Sequence, residues 1–141
     1  MLVRDVMTPD PVTLKPGDSL STAKARMKSV RCRRLPIVDE AGNLCGIITD
    51  RDLRLAENSP LIMRERWQDD LLIEHTTVDA CMTSDPISIT PDAPLERAIE
   101  IMLAQRISGL PVVEETRLVG IITVTDLLQA LARLLESLNR S

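Results

Sequence analysis

Gly46-Ile47-Ile48-Thr49-Asp50-Arg51-Asp52 returns later in the chain as Gly120-Ile121-Ile122-Thr123-Val124-Thr125-Asp126. Upstream, Met7-Thr8, Pro11, Pro16, Leu20, Ala23, Met27, Arg31, Leu35-Pro36 and Val38 recur as Met82-Thr83, Pro86, Pro91, Leu95, Ala98, Met102, Arg106, Leu110-Pro111 and Val113. The offset is 75 through these pairs and 74 at the glycines, one turn residue having been lost. Similarity sustained this far marks one folding unit written twice. Two such copies build a pseudo-two-fold interface, and clefts at interfaces of this kind favour ligands.

The 141 residues are 44% hydrophobic and 27% charged, ordinary values for a soluble globular chain. A domain of this size buries roughly 70% of its unfolded surface, whereas one copy alone is too short for a comfortable core. The copies are therefore expected to fold as one body. With no Phe or Tyr and one Trp, the core must be built from Leu, Ile, Val, Met and Ala. A net charge of −4 argues against a nucleic-acid partner despite the local cluster Arg31, Arg33, Arg34. No apolar run approaches the roughly 18 residues of a membrane span, and no secretory leader is evident. The expectation is a cytoplasmic protein. Three irregularly spaced cysteines, Cys32, Cys45 and Cys81, fit reduced thiols.

The reading along the chain starts with a short segment, Leu2 to Met7, and a strand at Val12-Thr13-Leu14. A helix follows, capped by Asp18 or Ser19, with Leu20, Ala23, Met27 and Val30 on its inner face. Strands at 35–38 and 44–48 are joined by the turn Ala41-Gly42-Asn43, and a helix runs from near Thr49 to about Glu57. In the second copy, Ile87 to Ile89 is extended and Pro94 to Gln105 is helical, with Leu95, Ala98, Ile99 and Met102 inward. Strands at 110–113 and 118–122 pair through Glu115-Thr116-Arg117. The last helix spans about Val124 to Leu138, and its stripe Leu127, Leu131, Leu134, Leu135, Leu138 suits either core or self-association. The organisation is thus a first repeat at 1–57, a partly helical linker at 58–77 holding Trp67 and His75, and a second repeat at 78–141.

Physically, the glycine of the repeated motif lets a neighbouring group come close to its strand. The threonine stands where strand becomes helix, and the aspartate follows one turn later. A helix N-terminus offers unpaired N–H groups and partial positive charge to a phosphate. A carboxylate one turn on can accept hydrogen bonds from a ribose diol. The same residues also make a helix capping box that needs no ligand.

The pattern V-x-D-V-M-T-x-x-P-V-T-L, a helix, R-L-P-I-V-D and G-I-I-T-x-x-D resembles a CBS domain, and the tandem arrangement resembles the paired CBS module, over about Val3 to Leu128. The resemblance implies an α/β fold of two tandem β-α-β-β-α repeats packed about a pseudo-two-fold axis. It implies two clefts for AMP, ADP, ATP or S-adenosylmethionine, with no further cofactor, and a disc-like homodimer. By motif position, the first site takes Thr49 and Asp52 with Arg51, Arg33 and Arg34, and its base pocket draws on Ala80, Ile87 and Ile107. The second takes Thr123, Thr125 and Asp126 with Ser108 and Gly109, and its base pocket draws on Val12 and Cys32 with the chain near Met7. Phosphates are expected to favour the first site, where arginines stand in place of Ser108, Gly109 and Thr125.

No catalytic constellation can be assembled. His75 is isolated, the cysteines and His75 lack the close spacing of a zinc site, and no Walker loop is present. Arginines beside Cys32 are a reason to expect a lowered thiol pKa there. Adenine would be held by aliphatic side chains unless Trp67 folds over a cleft. The favoured function is a non-enzymatic regulatory module that binds an adenosyl ligand and signals to an effector protein. The rival is a ligand-free homodimerisation or protein-interaction module.

Overall fold

The computed structural model describes residues 1–57 and 66–140, with the backbone alone for 66–70. Two compact units are present, Val12–Pro86 in one and Met1–Pro11 with Ile87–Ser141 in the other. We call them the N unit and the C unit.

In the N unit, helix α2 (Leu20–Val30) begins at Ser19, whose hydroxyl accepts the Thr22 N–H at 3.1 Å. It buries Leu20, Ala23 and Met27 along one face. Val30, expected inward, is 43% exposed. It sits at the last helical position, before Arg31 turns left-handed (φ 54°) and ends the helix, so its side chain no longer lies over the sheet. Strands β2 (Arg34–Val38) and β3 (Leu44–Thr49) form an antiparallel hairpin, and β4 (Thr83–Ser84) adds to the far edge of β3. The expected strand at Val12–Leu14 reduces to Leu14, which bridges Ile37 in parallel fashion. Helix α3 (Asp50–Glu57) leaves directly from β3. Leu20, Ala23 and Met27 of α2, Leu53 of α3 and Leu35, Ile37 and Ile48 of the hairpin close one core over one sheet face. Helix α4 (Arg66–His75) falls within the expected linker, whose residues 58–65, like the side chain of Trp67, lie outside the described residues.

The C unit repeats this plan. Helix α5 (Leu95–Gln105) ends at the left-handed Arg106 (φ 55°), strands β5 (Gly109–Glu114) and β6 (Arg117–Thr123) pair, and α6 (Val124–Asn139) follows. Ile89 bridges Val112 as Leu14 bridges Ile37. The two strands turn through Glu115 and Thr116, with Glu114 opposite Arg117. Ile99, expected inward, is 38% exposed. Leu95, Ala98 and Met102 fill the inner face of α5 and leave Ile99 on its flank. The edge of β6 is completed by the chain's own beginning: helix α1 (Val3–Val6) carries into β1 (Thr8–Pro9), which pairs antiparallel with Ile121 and Gly120. Val3 and Val6 are buried in the same core as Leu110, Val112 and Ile122. Among the described residues no helix is long and apolar enough to cross a membrane.

Candidate functional site

Each motif glycine is where a second chain segment crosses its strand. A Cβ built on Gly46 would lie 2.5 Å from Met82 Sδ and 2.8 Å from the Thr83 carbonyl oxygen. At Gly120 the corresponding distances are 2.6 Å to Met7 Sδ and 3.0 Å to the Thr8 carbonyl oxygen. The repeated Met-Thr pair and the repeated glycine are therefore one device: a side chain at the glycine would keep the Met-Thr segment off the sheet.

One turn further, both motifs close as capping boxes. The Thr49 N–H donates to Asp52 Oδ2 at 2.9 Å, and the Asp52 N–H donates to Thr49 Oγ1 at 3.1 Å. The Thr123 N–H and Asp126 Oδ2 stand at 2.9 Å, and the Asp126 N–H and Thr123 Oγ1 at 3.2 Å. The first N–H of each helix is also taken: Asp50 donates to the Arg33 carbonyl at 2.7 Å and Val124 to the Ser108 carbonyl at 3.0 Å. The capping boxes and these bonds thus take several of the N–H groups at each helix start.

The side chains separate the two sites. In the N unit, Arg34 opens β2 opposite Thr49, Arg33 precedes it, and Arg51 is exposed in the first turn of α3. Asp52 Oδ1 has no hydrogen-bond partner among the described residues. Ala80 lies in a 3-10 turn (Val78–Ala80) just before Cys81, whose thiol is pushed up by burial and then by the charges of Asp52 and Asp79. In the C unit, Asp126 is fully engaged: Oδ2 also accepts from Thr123 Oγ1 at 3.0 Å, and Oδ1 accepts from Thr8 Oγ1 at 2.9 Å. Thr8 was not among the residues singled out from sequence, although Met7-Thr8 recurs as Met82-Thr83 and that recurrence was its signal. Ser108 is exposed, Gly109 is buried and opens β5 opposite Thr123, and Thr125 is exposed. Ile87 and Ile107 belong to the C unit, and Val12 and Cys32 to the N unit.

The expected activation of Cys32 is reversed. Burial raises its thiol pKa and outweighs the opposing backbone hydrogen bond and charge of Arg34. Burial likewise pulls the Arg34 guanidinium below its ordinary value, with the neighbouring Cys32 working against that. Burial of this kind disfavours the thiolate, the form in which a cysteine reacts.

The CBS-domain profile matches residues 3–59 and again 78–133. The chain belongs to the CBS-domain family. Its fold is that of a CBS pair. A Vibrio cholerae protein assigned to acetoin utilization (AcuB) is 35% identical with a TM-score of 0.85, over 100% of this chain and 97% of that one. CBSX2 of Arabidopsis thaliana, solved in complex with AMP, is 27% identical with a TM-score of 0.78, over 94% and 97% of the two chains. The CBS domain pair of MJ0100, in complex with 5'-methylthioadenosine and S-adenosyl-L-methionine, is 31% identical with a TM-score of 0.76, over 94% and 96%.

Proposed function

We propose that this CBS pair is a non-catalytic regulatory module that binds a phosphate-bearing adenosyl ligand, with the Thr49–Asp52 motif as its principal site. The observation that carries the reading is the difference between the motifs. The first carries Arg33 and Arg34 at the start of the strand that pairs with Thr49, Arg51 in the first turn of α3, and an Asp52 carboxylate with one oxygen engaged by the Thr49 N–H, whereas both oxygens of Asp126 are already engaged. Guanidinium groups supply charge-assisted hydrogen bonds to phosphate, and Asp52 Oδ1 accepts from a ribose hydroxyl. The base pocket from Ala80, Ile87 and Ile107 is part of the proposal, as is a weaker second site at Thr123, Thr125, Asp126, Ser108, Gly109, Val12 and Cys32. The AMP and S-adenosylmethionine complexes of similar CBS pairs support the ligand class. Occupancy would reach an effector protein in the cytoplasm through a change in shape, provided the ligand binds two states unequally.

Calorimetric titration with AMP, ATP and S-adenosylmethionine tests this. Asp52→Asn keeps a side chain able to cap α3 while removing the charge, so folding should survive. Loss of one hydrogen bond to a charged group predicts roughly 10-fold or greater weakening of AMP binding. Arg33→Ala with Arg34→Ala should weaken AMP and ATP more than S-adenosylmethionine, and Asp126→Asn should leave the tighter binding event unchanged. If none of the three ligands binds the wild-type protein, the ligand-free interaction module is the better reading.

A further inference from the structure

Helices α2 and α3 of the N unit border a cavity of about 300 Å3. Its floor is apolar: Met27 and Leu53 line it and are buried, and Cys32 adds a half-buried wall. Its rim is charged, with Lys24 and Lys28 from α2, Arg33 from the turn before β2 and Asp50 from the start of α3. Two of these charges are already matched, since Lys24 reaches Glu57 at 3.2 Å and Asp50 is held by Arg54 at 3.2 Å. Lys28 and Arg33 are exposed, and their side chains make no ion pair with another described residue. A surplus of positive charge thus overlooks an apolar floor, on a chain whose net charge is −4. Burial keeps the Cys32 thiol neutral, so that wall does not repel an anion.

The second repeat supplies an internal comparison. Its counterparts of Met27 and Leu53 are Met102 and Leu127, so the floor is written twice. Its counterparts of Lys24, Lys28, Arg33 and Asp50 are Ile99, Leu103, Ser108 and Val124, so the charged rim is written once. A duplicated floor follows from packing alone, because both residues face their unit's core. The rim does not: the same helices fold in the C unit without any of its charges.

We infer that the α2/α3 cavity is a binding site for a small organic carboxylate with an aliphatic body, separate from the nucleotide motif. The body lies on Met27 and Leu53, and the carboxylate meets Lys28 and Arg33. The planar fork of Arg33 suits a carboxylate, and Lys28 adds a point charge beside it. Volume sets the size class, at the small end of ligand cavities. A larger anion such as a nucleotide would leave its polar sugar against the apolar floor, a poor exchange for water. Arg33 stands at the edge of both sites, but the floor, Lys24 and Lys28 take no part in the proposed nucleotide site, and this inference does not rest on that reading.

NMR of isotope-labelled methionine methyl groups tests it, with sodium hexanoate as the probe at constant ionic strength and no nucleotide present. The Met27 methyl should shift and saturate as hexanoate is added, while Met102, the same residue of the other copy, stays in place. Acetate, which has the charge without the body, and hexanol, which has the body without the charge, should each bind at least about 10-fold more weakly. Lys28→Glu reverses an exposed charge, so the spectrum of the folded protein should persist while hexanoate binding weakens by about 10-fold or more. A Met27 methyl unmoved throughout the titration overturns the proposal, as does an equal shift at Met102. Hexanol or acetate binding as tightly as hexanoate overturns it too. Those arms use the wild-type protein and stand even if the Lys28 variant misfolds; a folded Lys28→Glu protein with full affinity overturns it equally.

Discussion

At Gly46 the chain has no room for a methyl group. The Met82 thioether can swing aside from an added Cβ, but the Thr83 carbonyl at 2.8 Å belongs to a paired strand and cannot move without breaking the β3–β4 ladder. Gly46→Ala should therefore cost about 1–3 kcal/mol in urea denaturation. Gly120→Ala should cost less, since its nearest carbonyl is 3.0 Å away. Asp39 acts at the same scale. Its carboxylate accepts the backbone N–H groups of Asn43 and Ala41, each at 2.9 Å, and organises the turn between β2 and β3. The N–H of Asn43, followed by its side chain, the Ala41 N–H and the nearby Lys15 charge, holds the Asp39 pKa below its usual value. Stability from this group is therefore complete above the unfolded pKa of about 3.9 and fades as pH falls through the lower folded value. Asp39→Asn should flatten the acid side of a stability–pH curve, measured as the urea midpoint between neutral pH and acid.

At the scale of elements, α2 and α5 share one way of ending. Arg31 and Arg106 both terminate helices in the left-handed region, where a Cβ is disfavoured. Arg106→Gly should raise stability by about 0.5–1 kcal/mol, the usual margin between Gly and other residues at a left-handed cap. The N-terminus of α6 behaves oppositely: Thr123→Ala removes the hydroxyl that accepts the Asp126 N–H and should cost about 1 kcal/mol. Both values are readable from thermal or chemical denaturation. Helix positions and most inward faces were legible from the 3.6-residue spacing of Leu, Ala and Met. Val30 and Ile99 were not, because periodicity marks a stripe without fixing its width, and the αL turn after residue 30 decides where packing stops.

At the scale of the whole molecule, a repeat in sequence and a compact unit in space are different partitions. The first residues of the chain complete the C unit: β1 pairs with β6, and Val3 and Val6 are buried beside Leu110 and Ile122. Removing residues 1–11 should cost the C unit several kcal/mol, since each buried valine alone contributes roughly 1.5 kcal/mol or more. Hydrogen exchange checks this. Protection should fall selectively across β5, β6 and α6 while β2 and β3 keep theirs, and a uniform loss would contradict the division into units. The β3 edge is completed in the same way by residues 83–84. Nothing local in Met-Thr-Pro-Asp or Met-Thr-Ser-Asp names its partner strand, and only the shared glycine hints that something must cross there.

The repeat, the helix starts, the hairpins and the residues of both motifs were determined by the sequence alone, because spacing, caps and turn residues act over a few positions. The family resemblance followed from the same short-range signals. Tertiary structure decided what those residues have left to offer. It closed Thr49 with Asp52 and Thr123 with Asp126 as capping boxes, occupied the second carboxylate through Thr8, and raised the Cys32 thiol that neighbouring arginines had seemed to lower. Each of these outcomes depends on burial and on partners distant in sequence. A hydrogen bond between residues 118 positions apart leaves no trace in local pattern, and the balance between burial and charge exists only once the chain has folded.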